Sequence, residues 1–319
     1  MEAGKISRVA VLGAGTMGTG LALVFAEAGF RVSLYSIPDP TLDRALSVIR
    51  AGLETLAAAG RLDASRIREI MDRIVTGTDL AAAVGDNELF IEAVSEKLEV
   101  KKALFAQLDA LCPTDALFVS NTSFLNIFPI VPERRLPNTA IAHFFAPAHI
   151  VPLVEVVCGE KTSEATVEAL LALLRKAGRV PVLMKKYIPG FCINRIQSAI
   201  GNEVYNLLDN GYISPEDLDL AVKASLIPRA MVLGLVQRYD FTGLDLTLQN
   251  LKNNTYQYPP PNPEPDCLAG KAAQGNLGVK TGRGFYDYSG RSLEEVLAAR
   301  DMALLQVLDG VGDFIYRHI

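Results

Sequence analysis

Residues 8–18 read Arg8-Val-Ala-Val-Leu-Gly-Ala-Gly-Thr-Met-Gly18, and this stretch decides the fold of the first half of the chain. The apolar run before the glycines has the pattern of a short strand, and the G-x-G-x-x-G segment opens a helical pattern that continues to about Glu27. Gly29 ends that helix, and Arg31–Tyr35 has the pattern of a second strand. Strand, glycine turn, helix and strand in this order predict a βαβ unit.

The glycine turn has the spacing of a dinucleotide-binding fingerprint. Gly13 permits a tight turn, Gly15 lets the backbone approach a pyrophosphate, and Gly18 allows the helix to pack closely on the strand. The free N–H groups and the positive dipole end of the helix attract an anion there, and Thr16 and Met17 lie in this first turn. A G-x-G-x-x-G segment alone is a weak signal, but a strand before it and a helix after it make it specific.

The end of the second strand bears on the choice of cofactor. In dinucleotide-binding folds an Asp or Glu at this place holds the adenosine ribose hydroxyls. Here Ser36 follows Tyr35, and Asp39 is the nearest acid. No Arg follows at once to hold a 2′-phosphate. We therefore expect NAD as the cofactor, with Ser36 in its site, and NADP is not excluded.

Strand and helix patterns alternate along the rest of the first half. Helical patterns run from about 40 to 60, 64 to 73, 99 to 110 and 163 to 176, and strand patterns cover 74–75, 89–91, 117–120, 139–143, 151–157 and 180–184. This alternation predicts a parallel, doubly wound α/β sheet of the Rossmann type with helices on both faces. From Tyr187 onward the patterns are helical. We expect a dinucleotide-binding domain over 1–187 and an all-α domain over 188–319.

Composition narrows the class of protein. A net charge of −5 without a basic run or stripe argues against nucleic-acid binding. No apolar stretch reaches the roughly 18 residues of a membrane span, and no signal-peptide pattern is present at the N-terminus. We therefore expect a cytoplasmic protein that contacts no membrane. The 4 cysteines form no CxxC pair, which indicates neither a disulfide framework nor a metal site.

A histidine and a glutamate stand out after the glycine turn. His143 ends an apolar strand pattern, and Glu155 lies at the end of the next apolar run. Substrates of parallel α/β sheets bind at the carboxyl ends of strands. A carboxylate fixes the imidazole tautomer, and the imidazole removes a hydroxyl proton while hydride leaves the carbon. A lone histidine at a strand end is more often structural, but the glutamate and the upstream fold favour a catalytic role.

The chain resembles the L-3-hydroxyacyl-CoA dehydrogenase family over about residues 6–288. The motifs that carry the resemblance agree in order and spacing: Gly13-Ala-Gly-Thr-Met-Gly18, Ile91-Glu-Ala-Val-Ser-Glu96, Ser120-Asn-Thr-Ser123, His143-Phe-Phe-x-Pro147, Leu153-Val-Glu155, Pro189-Gly-Phe-x-x-Asn-Arg195, Gly243-Leu-Asp245 and Gly278-Val-Lys-Thr-Gly282. The resemblance implies an NAD-dependent oxidoreductase of fatty acid metabolism that acts on a CH–OH group, and a homodimer formed through the helical domain.

The same resemblance implies roles for single residues. His143 would be the general base and Glu155 its partner, and Ser123 and Asn194 would hydrogen-bond the substrate oxygen or the imidazole. Three charged residues would line the cofactor site: Glu96, Lys101 and Lys280. Without the family, Ser123 is equally a turn hydroxyl, Asn194 a helix-start residue, and the lysines are solvated surface charges.

Two departures from the family bear on the substrate. Ala146 stands where the family commonly has Asn in His-Phe-Phe-Asn-Pro, and Phe124 where a second Ser is common, so the pocket near the reacting carbon is more apolar. The leading expectation is oxidation of a 3-hydroxyacyl-CoA to the 3-oxoacyl-CoA. Four arginines could meet the coenzyme A phosphates, or equally form a solvated helix face: Arg61, Arg66, Arg68 and Arg73.

The alternative substrate is a small free hydroxy acid or alcohol. The segments 149–152 and 159–162 and an additional C-terminal helical pattern, Leu293–Leu308, resemble the branch that holds λ-crystallin and the L-gulonate and carnitine dehydrogenases, and a hydroxypyridine acid falls in this class. A third hypothesis is a cofactor-binding structural protein without turnover. The presence of both His143 and Glu155 argues against it.

Overall fold

One sheet of 8 strands organises the first half of this computed structural model, which describes residues 6–37, 41–253 and 257–317. The strands are β1 (Arg8–Leu12), β2 (Arg31–Tyr35), β3 (Ile74–Gly77), β4 (Leu89–Glu92), β5 (Leu117–Ser120), β6 (Thr139–Phe144), β7 (Leu153–Cys158) and β8 (Val180–Met184). Their order in the sheet is β3-β2-β1-β4-β5-β6-β7-β8. Because β1 lies between β2 and β4, the topological switch point falls at the carboxyl end of β1, where α/β folds bind their ligands.

Helices connect the strands of this sheet. They are α1 (Thr16–Glu27), α2 (Thr41–Ala58), α3 (Ile67–Asp72), α4 (Leu80–Val84), α5 (Leu98–Leu111) and α6 (Glu164–Lys176). The start of α6 illustrates the local logic, because the Ser163 hydroxyl accepts a hydrogen bond from the Thr166 N–H and so caps the helix. Alternating strands and helices in one mostly parallel sheet confirm the predicted Rossmann-type fold.

The last two strands, β7 and β8, depart from the expected all-parallel sheet. β7 runs antiparallel to β6, while β8 is parallel to β7. The reason is the connection between β6 and β7, residues 145–152, which is short and carries no helix. A parallel crossover needs about a dozen residues or more. A connection as short as this one therefore returns the chain in the opposite direction. Glu155 therefore lies within β7 and not at its carboxyl end.

The centre of the sheet is almost wholly apolar. Val9, Phe90 and Phe118 on the three central strands expose 0–1% of their surface. Burying each such side chain stabilises the fold by ~1.5–3 kcal/mol. Strands covered on both faces leave polar side chains only at their ends, and Glu92 and Ser120, the last residues of β4 and β5, occupy such places. The core thus fixes the positions of the polar groups described below.

The remainder of the chain is helical, as predicted. It contains α7 (Ile193–Asp209), α8 (Pro215–Ala221), α9 (Ile227–Thr242), α10 (Leu244–Asn253), α11 (Asp266–Ala273) and α12 (Leu293–Val311). Two compact units divide the chain between Arg195 and Ile196, inside α7, whereas the sequence patterns change at Tyr187. No helix in the described ranges is both long and apolar enough to cross a membrane.

The second unit buries very little of itself. Pro265 and Leu305 are the only residues between 196 and 317, outside the gap at 254–256, that are fully buried. Large apolar side chains are instead open to solvent, and Val236 exposes 79% of its surface. A helical unit of this size normally buries well over half of its surface on folding. The apolar side chains of this unit are therefore exposed to an unusual degree.

Candidate active site

The glycine turn after β1 leaves room for a pyrophosphate. Gly13 adopts φ +115°, and a Cβ there would lie 2.6 Å from the Ala93 carbonyl oxygen, so only glycine fits. A Cβ on Gly18 would lie 1.7 Å from the Gly13 oxygen, which shows how closely α1 packs on the turn. At Gly15, by contrast, nothing lies within 4 Å of the added atom.

This open space lies at the start of α1, where Gly15 is the N-cap and supplies no side-chain cap. Thr16 and Met17 follow in the first turn, with Thr16 exposed. Uncapped N–H groups, a positive dipole end and free space beside a glycine fit the dinucleotide that the sequence predicts. The residues present therefore suit an NAD pyrophosphate.

Ser36 follows β2 at the same edge of the sheet. Its N–H donates to the Gly77 carbonyl, and its hydroxyl lies 3.4 Å from the Thr41 hydroxyl at the start of α2. No carboxylate is contributed by the described residues between β2 and α2, and Asp39 lies outside them. Among the described residues, the proposed adenosine end of the cleft therefore presents the hydroxyl groups of Ser36 and Thr41.

The proposed catalytic pair forms a direct cross-strand contact. His143 of β6 is in register with Glu155 of β7, and the Nδ1 atom of His143 lies 2.8 Å from Oε2 of Glu155. The side chains are 5% and 1% exposed. An ionised carboxylate can only accept, so it holds the imidazole proton on Nδ1 and leaves Nε2 with a free lone pair. The strand register thus places the carboxylate where it can prepare His143 for the proposed role of base.

The backbone at the start of α7 keeps Glu155 ionised. Oε1 accepts hydrogen bonds from the N–H groups of Cys192, at 2.9 Å, and Ile193, at 2.8 Å. Burial acts to raise the pKa of this carboxyl, but the hydrogen bonds from His143, Ile193 and Cys192 outweigh it, and the pKa lies below the usual glutamate value. All 3 donors favour the charged form, so Glu155 remains an acceptor for the imidazole.

The structure brings Ser123 and Asn194 into direct contact. The Asn194 amide donates to the Ser123 carbonyl at 3.1 Å, so it holds the loop after β5 and does not touch the imidazole. The Ser123 N–H donates to Oε1 of Glu96 at 2.8 Å. Within the described residues the Ser123 hydroxyl has no hydrogen-bond partner, which leaves it available to a substrate oxygen.

Glu96 and Lys101 belong to a buried ionic network. The Lys101 ammonium lies 2.6 Å from Oε1 of Glu92 and 3.0 Å from Oε2 of Glu96, and its side chain is 1% exposed. Burial raises the pKa of Glu92 despite the ammonium beside it. The Thr122 hydroxyl and the Ser123 N–H donate to Glu96, and these bonds, with Lys101, lower its pKa against the effect of burial. Lys101 thus acts through Glu96 on the loop that carries Ser123.

The other predicted cations are Lys280 and the four arginines before Thr76. Lys280 is in a short 3-10 helix of the second unit, Val279–Thr281, and lines a cleft of that unit with Lys271 and Tyr286. Of the four arginines before Thr76, Arg73 binds Glu69 and the Ala26 carbonyl, and Arg68 lies 4.0 Å from Asp72. Arg73 is therefore engaged within the protein, whereas the Arg68 side chain is 94% exposed.

Three further residues hold the site together and were given no role by the sequence. The Asn121 amide oxygen accepts the Phe144 N–H at 2.9 Å and so fixes the end of β6. Glu92 anchors Lys101, and Phe191 packs against His143 at 5.5 Å between ring centroids. All three residues lie inside motifs shared with the family, and this position was the only signal in the sequence. Their contacts join segments that are distant in the chain, so they become visible only in the structure.

Comparison with known proteins agrees with this geometry. Residues 8–187 match the family model of the 3-hydroxyacyl-CoA dehydrogenase NAD-binding domain, and residues 190–288 match that of the 3-hydroxyacyl-CoA dehydrogenase C-terminal domain. These two family models cover most of the chain and describe an NAD-dependent oxidoreductase. The chain belongs to the 3-hydroxyacyl-CoA dehydrogenase family, which confirms the resemblance seen in the sequence.

The relatives differ in named substrate and in coverage. The 3-hydroxyadipyl-CoA dehydrogenase of Escherichia coli K12 is 36% identical over 291 residues, which are 89% of this chain and 59% of that protein, so the chain spans little more than half of its length. The lambda-crystallin of Oryctolagus cuniculus is 36% identical over 74% of this chain and 72% of its own. The solved structure of 5-formyl-3-hydroxy-2-methylpyridine 4-carboxylic acid 5-dehydrogenase, described as an NAD⁺-dependent dismutase, has TM-score 0.83 and 28% identity over 96% of this chain and 99% of its own.

Proposed function

We propose that the protein oxidises a secondary hydroxyl group of a 3-hydroxyacyl-CoA to the 3-oxo compound, with His143 as general base. The observation that carries the proposal is the buried contact of 2.8 Å between His143 Nδ1 and Glu155 Oε2 in an NAD-binding fold. Bound NAD⁺ supplies the hydride acceptor for such an oxidation. The remaining work is done by side chains of this chain.

The residues divide that work by position. Nε2 of His143 takes the hydroxyl proton, and Glu155 stabilises the imidazolium that results. The free hydroxyl of Ser123 orients the substrate oxygen, while Glu96 and Asn194 fix the backbone on either side of it. Glu96 and Lys101 thus contribute as supports of Ser123, and Lys280 is proposed as a cofactor-binding cation on the family resemblance. In the reverse direction the imidazolium returns the proton.

The identity of the relatives supports the coenzyme A thioester. The Escherichia coli relative named for a hydroxyacyl-CoA is 36% identical, and both family models that cover residues 8–187 and 190–288 are named for this substrate class. Arg66 is exposed, so its guanidinium is accessible to a phosphate.

A small free hydroxy acid is the second candidate, favoured by whole-length similarity. The pyridine-carboxylate dehydrogenase matches 96% of the chain with TM-score 0.83. One of the arginines suited to coenzyme A phosphates, Arg73, is already paired with Glu69. Ala146 and Phe124, the latter 51% exposed, give the reaction site an apolar border unlike the family pattern.

One assay separates the two candidates. Formation of NADH is followed with 3-hydroxybutyryl-CoA, free 3-hydroxybutyrate and a set of small hydroxy acids, and kcat/KM is compared. We expect kcat/KM for the thioester to exceed that for its free acid by ~10²-fold or more, because the coenzyme A portion adds binding energy that the free acid lacks. A thioester no better than the free acid would transfer the assignment to the second candidate, and NADH formation with none of them would refute the oxidation itself.

We also propose a homodimer formed through the second unit. The argument is the exposure of its apolar side chains, since only Pro265 and Leu305 of its described residues are buried. Among the exposed ones are Val236 at 79%, Leu244 at 64% and Phe241 at 61%. An obligate interface resembles a domain core cut in half, and a second copy of this unit offers the same apolar surface.

A further inference from the structure

The segment between β8 and α7 contains an unusual backbone conformation. Phe191 has φ +49°, and it is the only residue other than glycine with a positive φ among the described residues. Its side chain is completely buried. For a residue with a Cβ the left-handed region is strained, and such strain persists only where the surrounding structure imposes it.

The two residues that follow Phe191 explain what the conformation achieves. The N–H groups of Cys192 and Ile193 both point at one oxygen of Glu155, Oε1, at 2.9 and 2.8 Å. Consecutive N–H groups converge on one anion when a left-handed residue bends the chain next to them. With Oε1 held, the second oxygen, Oε2, is directed at Nδ1 of His143.

The ring of Phe191 acts on the other member of the pair. Its centroid lies 5.5 Å from that of the His143 imidazole in an edge-to-face arrangement, and 6.1 Å from that of Tyr187 on a further side. Phe145 lies 4.4 Å from the imidazole as well, so aromatic rings restrict its rotation from two directions. Aromatic rings in this geometry attract one another beyond the effect of burial.

A role in core packing alone explains only half of these observations. It accounts for the buried ring, because Phe191 belongs to the apolar cluster that also contains Phe105, Phe118 and Ile141. It gives no reason for the left-handed backbone, since a phenylalanine can fill a core with an ordinary φ. The strain coincides with the residue whose successors bind the catalytic carboxylate.

We propose that Phe191 is a positioning residue for the His143–Glu155 pair. Its left-handed backbone aims two N–H groups at Glu155, and its buried ring both maintains that strained turn and restrains the imidazole. This inference rests on the proposed function for the meaning of the pair, but its geometric part concerns Glu155 and His143 whatever the substrate.

The backbone arm of the test compares Phe191→Gly with Phe191→Ala. Both lose the ring, but alanine keeps a Cβ that disfavours the left-handed region, whereas glycine enters it freely. We expect kcat of the glycine variant to exceed that of the alanine variant by about tenfold, with the KM and the dissociation constant of NADH alike in both. At ordinary core positions glycine is the more damaging substitution, so the sign of the difference is diagnostic.

The ring arm uses Phe191→Leu with Phe105→Leu as the matched control. Phe105 lies in the same apolar cluster and is equally buried, but it stacks on Phe118 and does not touch the catalytic pair. We expect both leucine variants to lose similar thermal stability. Only Phe191→Leu should lower kcat, by roughly tenfold, because only there is the imidazole released.

A spectroscopic signal tests the inference without any substrate. The chain has 3 histidines, so the Nδ1–H proton resonance of His143 is assigned by its loss in His143→Gln. The resonance should survive in Phe191→Gly and Phe105→Leu and broaden through solvent exchange in Phe191→Ala. A Phe191→Ala protein that keeps both this resonance and the kcat of Phe191→Gly would overturn the positioning role. If the wild type reduces no NAD⁺ while the resonances differ as expected, the proposed function fails and the positioning role stands.

Discussion

Nδ1 of His143 lies 2.8 Å from Oε2 of Glu155 across directly paired positions of two antiparallel strands. The contact is buried, and the other carboxylate oxygen of Glu155, Oε1, accepts hydrogen bonds from two backbone N–H groups. Strand pairing therefore sets the position of the proposed base, His143. The backbone at the start of α7 keeps Glu155 ionised, and the ionised Glu155 sets the tautomer of His143. The predictions below address this pair first and its surroundings afterwards.

Replacing His143 by glutamine should abolish proton transfer while preserving the fold. We expect kcat to fall by at least ~10²-fold, the typical contribution of a positioned acid–base group, with NADH affinity nearly unchanged. Steady-state kinetics and NADH fluorescence titration measure the two quantities. His149→Gln is the control, since it removes the other described imidazole of the same unit. Near-normal turnover of His143→Gln would exclude the residue from the mechanism.

Glu155→Gln should change stability in a pH-dependent way. The pKa of Glu155 is lowered in the folded protein below the ordinary 4.5, so its ionisation stabilises the fold above pH 4.5 and this contribution disappears as the pH falls through the lowered value. We expect the variant to lose about 1–3 kcal/mol of unfolding free energy at pH 7. Urea denaturation should show the deficit shrinking in acid. An equal deficit at all pH values would contradict the assignment of an ionised Glu155.

The cofactor preference should be modest and easily sharpened. Ser36 neither chelates the ribose diol nor repels a 2′-phosphate, so we expect the wild type to favour NAD over NADP only slightly. Ser36→Asp should raise the ratio of kcat/KM for NAD to that for NADP, because a carboxylate does both. Ser47→Asp adds the same charge on the exposed face of α2 and serves as the control. If the wild type already rejects NADP by several orders of magnitude, another group discriminates.

Lys101 should be required for stability as well as for the loop that carries Ser123. Lys101→Met leaves Glu92, which is 0% exposed, without its counterion. We expect a loss of ~3–5 kcal/mol in unfolding free energy, the usual cost of an uncompensated buried charge. Burial raises the pKa of Glu92, so the deficit should grow as the pH rises and this carboxyl ionises. The double variant Glu92→Gln/Lys101→Met should recover part of it, and a deficit identical in both would contradict the pairing.

A charge on the exposed apolar surface of the second unit should dissociate the proposed dimer. Val236 is 79% exposed, so Val236→Asp disturbs no interior packing within one chain. We expect sedimentation velocity to give a dimer for the wild type and a monomer for the variant at micromolar concentration. Asp240→Ser, on the next turn of α9, is a control for solubility. A monomeric wild type would refute the dimer.

Much of this molecule could be read from periodicity and turn chemistry. Arg8–Leu12, Thr16–Glu27, Arg31–Tyr35 and Val180–Met184 have the bounds that their apolar runs, glycines and caps suggest. The helical pattern after Tyr187 is likewise present in the structure, from α7 onward. These signals are local, because each depends on residues a few positions apart, and local signals are what a sequence displays directly.

The parts that could not be predicted depend on contacts between distant segments. No sequence pattern near Glu155 predicts that β7 runs antiparallel to β6. This antiparallel pairing places Glu155 opposite His143. Lys101 reads as a surface charge on an amphipathic helix, yet it is buried between two carboxylates from β4 and the following loop. The left-handed Phe191 carries no sequence signal either, since phenylalanine does not favour that conformation.

The register of β6 and β7 has a practical consequence for anyone who purifies or refolds this protein. Adjacent side chains of a strand point to opposite faces, so a slip of one position would set Val154 or Val156 across from His143 and leave the imidazole with no carboxylate. Under the proposed mechanism, molecules with such a misaligned sheet lack the general base and are inert. Misaligned molecules in a preparation therefore lower its specific activity in proportion to their share.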